Sequence, residues 1–70
     1  MDSVEDLACS FVEQEVGRLD WKNNWMQLRE QSDVVELIQQ WLNRYRIDGN
    51  AAEIAQWIDD LAAHSDGRWR

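Results

Sequence analysis

No proline interrupts the seventy residues, and glycine occurs only at positions 17, 49 and 67. Proline and glycine are the residues that most disfavour helix interiors, so a chain this poor in them leaves long stretches free to coil. No stretch alternates apolar and polar residues over a useful length, as a half-buried strand would. Apolar residues recur at helical spacing instead, and the glycines fall between those stretches. The pattern predicts an all-α fold, a small bundle of three to four short helices over about 4–16, 20–30, 33–47 and 51–64. Residues 1–64 read as a single domain and 65–70 as a flexible C-terminal tail without periodicity.

The first stretch opens at Ser3, with Asp6 three residues on as an acidic relative of the capping box. Val4, Leu7, Ala8, Phe11 and Val12 share one face. Glu15 would join that apolar face if the helix ran on, so the helix is expected to end near there with Gly17 as its stop. In the second stretch Asp20 is placed to cap, and Trp21, Trp25 and Leu28 stand at helical spacing. Asn23 and Asn24 are poor interior helix residues, which predicts a short or irregular piece.

The third stretch is the clearest. Asp33 and Glu36 make a capping pair, and Val34, Val35, Leu37, Ile38, Trp41, Leu42 and Tyr45 form one broad apolar face. Arg44 and Arg46 sit where positive charge complements the end of a helix dipole. Asp48-Gly49-Asn50 then breaks the chain, with Asn50 as cap and Glu53 completing the box. Ile54, Trp57, Ile58, Leu61 and Ala62 stripe the last helix. So short a link between two amphipathic helices predicts a C-terminal helical hairpin.

A domain of this length buries only about 60% of the surface of its unfolded chain. The single cysteine, Cys9, allows no intramolecular disulfide, and its presence alone fits a reducing compartment, the cytoplasm. The compensation is aromatic mass, since each of the five tryptophans can bury roughly 150–250 Å². The first residues are acidic where a secretory leader is basic, and no apolar run approaches the ~20 residues of a membrane span. A soluble cytoplasmic protein is expected.

The formal charge of −7 opposes direct binding to nucleic acid or to an anionic membrane. Acids concentrate at the two ends of the domain. Residues 1–16 and 48–66 carry no lysine or arginine, whereas 17–47 is nearly balanced.

Catalytic chemistry finds little to work with. Asp59 and Asp60 are helix neighbours that point about 100° apart, so they form no dyad and read as a solvated acidic face. Asp60 and His64 stand at i, i+4, but two ligands are too few for a structural metal site. Cys9 lies among Glu5, Asp6 and Glu13, which disfavour a thiolate nucleophile. No enzyme, cofactor or metal is expected. The 33–64 hairpin resembles a DNA-reading helix-turn-helix in outline, but its second helix presents Glu53, Asp59 and Asp60, the wrong charge for phosphate.

What remains is binding to protein. Trp41 reads as core. Trp21, Trp25 and Trp57 are candidates for a contact surface, because tryptophan is enriched in interface hot spots, and equally for completing a small core. Trp69, between Arg68 and Arg70, belongs to the tail. The expected function is a small acidic regulator or inhibitor that occludes a surface of a larger partner, with a nucleic-acid-binding enzyme one candidate through mimicry of nucleic-acid charge. Glu5, Asp6, Glu13, Glu53, Asp59 and Asp60 would supply the charge, and Trp21, Trp25 and Trp57 the apolar anchors. On this reading, reversing Asp59 and Asp60 together weakens binding. The alternative is a structural or assembly subunit, most simply a homodimer whose spare tryptophans close a shared core.

Overall fold

The Ser3 hydroxyl accepts from the backbone N–H of Asp6 at 3.2 Å, and helix α1 (Val4–Phe11) starts at that bond. The computed structural model describes residues 3–64; the expected flexible tail, with Trp69, lies outside the described residues. Among the described residues the chain is all-α, with α2 at Trp21–Gln31, α3 at Val34–Tyr45 and α4 at Ala51–Ala63.

The conflict seen at Glu15 is solved by a change of helix type. The last turn, Val12–Val16, is π-helical, closed by the Gly17 N–H on the Val12 carbonyl at 2.7 Å. A π turn takes up an extra residue. Val16 then packs against the core where Glu15 would have pointed, and Glu15 stays exposed. Gly17 stops the path at φ +96°, a backbone conformation that side chains of L-residues resist.

α2 is a regular helix, contrary to the expected irregular piece. Asn23 and Asn24 fall in its first turn and bond backwards, Asn23 to the Asp20 carboxylate at 3.3 Å and Asn24 to the Leu19 carbonyl at 3.2 Å. Asp20 occupies the cap position, yet its side chain makes no capping bond and its backbone is left-handed at φ 56°.

Asp33 and Asn50 cap as expected. Asp33 accepts from Val35 and Glu36, and Asn50 from Ala52 and Glu53. α3 ends on a left-handed Arg46, with the Ile47 N–H returning to the Leu42 carbonyl at 2.9 Å. The hairpin forms, and α4 packs against both α3 and α1. Its loop crosses the start of α1 so closely that a Cβ on Gly49 would lie 2.9 Å from Leu7 Cδ1.

The core is built around Phe11. Its ring meets Trp25 edge-on at 6.4 Å and Trp41 at 5.5 Å between centroids. Ile38, Leu42, Ile54 and Ile58 share the core with these rings, all fully or almost fully buried. Trp21 and Trp25, candidates for a contact surface, belong here instead: Trp21 is 6% exposed and Trp25 0%. The physical reason is the thinness of the α2 stripe. With little more than Trp21, Trp25 and a half-buried Leu28 to offer, α2 docks only by burying both indoles. Val35 and Tyr45, expected on the apolar face of the third helix, are exposed at its edges.

Candidate protein-binding face

α4 turns Ala51, Ile54, Ala55 and Ile58 inward. On its outer side Glu53, Trp57 and Asp60 follow at spacings of four and three, which places them in one line along the helix. Glu53 and Asp60 are exposed, and Asp60 accepts from the Gln56 amide at 2.9 Å. Trp57 is half-buried, one side packed against the core and the rest open to solvent between the two carboxylates. Trp21, Trp25 and Trp41 are buried, so Trp57 is the one tryptophan among the described residues that offers indole surface.

The neighbouring Asp59 has a different role from Asp60. Its Oδ1 accepts from the Trp25 indole N–H at 2.8 Å and lies 3.3 Å from an Arg29 nitrogen. Its side chain is only 20% exposed. Asp59 was expected on the solvated acidic face; it is a structural acceptor that joins α4 to α2, because the indole brought into the core by α2 needs a partner for its N–H. Asp59 and Arg29 line an open groove of about 410 Å³ beside the start of α3, and their charges already answer each other there.

The remaining acids keep to the surface. Glu5 and Asp6 are exposed in the first turn of α1, where carboxylates complement the helix dipole. Glu13 is exposed on the π turn, 3.9 Å from Arg18. Exposed pairs of that kind contribute about 0–1 kcal/mol, so Glu13 can exchange its partner at little cost. Since α1 packs on α4, the two acidic ends of the sequence lie on adjacent helices.

The chain matches no protein-family model, no curated protein and no solved structure.

Among the described residues no group of three or more His, Cys, Asp or Glu side chains is placed to hold a metal. His64 is exposed at the end of α4, where its carbonyl accepts from Lys22 Nζ at 2.7 Å. Cys9 is half-buried on α1. No described helix is long and apolar enough to cross a membrane. Sequence reasoning overlooked Leu19, which is 90% exposed, and Met26, at 46%. The signal for Leu19 was present: it stands between Gly17 and Asp20, outside every helical stripe.

Proposed function

We propose that the chain is a small protein-binding regulator or inhibitor that covers a basic surface of a larger partner, with Glu53, Trp57 and Asp60 at the centre of the contact. The observation that carries this reading is the half-buried indole of Trp57 between two exposed carboxylates on a rigid helix. Tryptophan supplies large contact area with few rotatable bonds, and the flanking charges steer and orient a cationic surface. Glu5, Asp6 and Glu13 extend the negative field on the adjoining helix. A nucleic-acid-handling enzyme is the partner class that presents a broad basic channel, and a compact body of net charge −7 can occupy such a channel in place of phosphates. The single thiol supports action in a reducing compartment such as the cytoplasm.

The competing reading, a homodimer closed by spare tryptophans, draws less support from this fold. Trp21, Trp25 and Trp41 are already enclosed within one chain.

Capture of partners from the host lysate by the tagged protein across a salt series, with the bound proteins identified by mass spectrometry, tests the proposal. A nucleic-acid-handling protein retained at low salt and released as salt rises is the expected result. Recovery of no other protein, or of one whose retention ignores salt, would contradict it.

A further inference from the structure

Leu19 is the most exposed large apolar side chain among the described residues. The short loop that carries it is tied from both sides. The Gly17 N–H bonds to the Val12 carbonyl at 2.7 Å, and the Asn24 amide holds the Leu19 carbonyl at 3.2 Å. Asp20 adopts a left-handed backbone and gives its carboxylate to Asn23, leaving the start of α2 without a side-chain cap. These bonds hold the backbone on either side of Leu19, whose side chain stands 90% exposed.

The same chain carries a hole. Phe11, Leu28, Leu37 and Trp41 line an open cavity of about 190 Å³, with the exposed Glu15, Gln40 and Arg44 at its mouth. A cavity of roughly 150 Å³ accommodates a benzene molecule, so a leucine side chain fits. Charge matches as well. Leu19 lies between Arg18 and Asp20, and the mouth of the hole carries Glu15 and Arg44, 3.9 Å apart and both partly exposed. In a contact that seats Leu19 there, Arg18 would face Glu15 and Asp20, now bonded to Asn23, would face Arg44. Arg18 gives up a 3.9 Å contact with Glu13 between two exposed side chains to do so.

We propose that a second copy of this chain occupies the hole: Leu19 of each protomer inserts between α1, α2 and α3 of the other, about a two-fold axis. Glu15 stands four residues before Leu19, so knob and hole are close neighbours on the surface and one reciprocal interface can use both. This contact does not involve Glu53, Trp57 or Asp60, and it stands or falls separately from the partner-binding reading.

Sedimentation equilibrium of the full chain at physiological salt, from micromolar to millimolar concentration, is the test. The mass should rise from one chain to two, and Leu19→Ser, at a site exposed enough to leave folding intact, should raise the dissociation constant by roughly tenfold or more. A charge exchange tests the register. Arg18→Glu alone sets Glu against Glu15, and Glu15→Arg alone sets Arg against Arg18, so each variant should associate more weakly than wild type. Mixed together they restore both pairings, and the mixture should dimerise more strongly than either alone. A wild-type chain that stays monomeric to millimolar concentration overturns the proposal. So does a dimer indifferent to Leu19→Ser, a mixture no stronger than its parts, or a mass that climbs past two chains.

Discussion

The indole N–H of Trp25 donates to Asp59 Oδ1 at 2.8 Å, a bond between residues 34 positions apart that joins α2 to α4. Trp25 is fully buried, and Arg29 lies 3.3 Å from the same carboxylate oxygen on the surface side. One carboxylate thus satisfies a core donor and a surface cation together. With Lys22 on the His64 carbonyl, it fastens to α4 a helix that has little apolar surface of its own.

Removing this acceptor should show in stability. Asp59→Ala leaves a buried indole N–H without a partner and should cost about 1–3 kcal/mol. In a domain of this size each kcal/mol lowers the melting temperature by roughly 4–8 °C. Asp59→Asn retains an acceptor oxygen and should lose less. Asp60→Ala, one residue on but exposed, should stay within about 0.5 kcal/mol of wild type. Thermal unfolding followed by tryptophan fluorescence ranks the three; equal losses at 59 and 60 would contradict the assignment.

The stop at Gly17 is a backbone requirement and not a packing one. No atom lies within 4 Å of where its Cβ would be, yet its φ is +96°. Gly17→Ala should therefore destabilise by about 1–3 kcal/mol through strain alone. D-alanine at the same position, introduced by chemical synthesis, accepts positive φ and should lose less than L-alanine. Urea denaturation of the two epimers checks the sign, and equal midpoints would remove the strain argument.

Helix caps that look alike in the sequence should behave differently. Asp33→Ala and Asn50→Ala each remove an acceptor for two backbone N–H groups and should each cost about 1 kcal/mol. Asp20 makes no capping bond and sits at φ 56°. Asp20→Gly should consequently be neutral or raise stability by up to about 1 kcal/mol. Unfolding midpoints for the three variants decide it, and a loss at Asp20→Gly matching the other two would show that Asp20 caps in solution.

Local signals in the sequence carried far. Ser3, Asp33 and Asn50 announce helix starts because a cap bond spans only two or three residues, and Glu15 on an apolar face with Gly17 just beyond marked where the first helical stretch ends. The candidate site was less legible. Asp59 and Asp60 are chemically identical neighbours, and what separates them is Trp25, brought to Asp59 by the tertiary fold. Trp21 and Trp25 were undecidable for a related reason: two indoles at helical spacing can face a partner or a core, and only the docking of α2 chooses. Trp57 keeps its place as the candidate anchor because it sits at the edge of its stripe, a property that periodicity does register. Leu19 lies in no periodic stretch, which is itself a signal, and the closed loop leaves it 90% exposed.

If the line Glu53–Trp57–Asp60 recognises a basic partner while Asp59 serves the fold, affinity should respond to charge at positions 53 and 60. The most direct test is the equilibrium affinity of the purified partner for wild type and for Glu53→Gln/Asp60→Lys, measured across a salt series. Both side chains are exposed, and the Asn50 cap uses only the backbone N–H of residue 53, so the folded state of the variant should be preserved. The dissociation constant should rise about tenfold or more at low salt, with a visibly flatter salt dependence. The same affinity and the same salt slope in a variant that melts like wild type would contradict it.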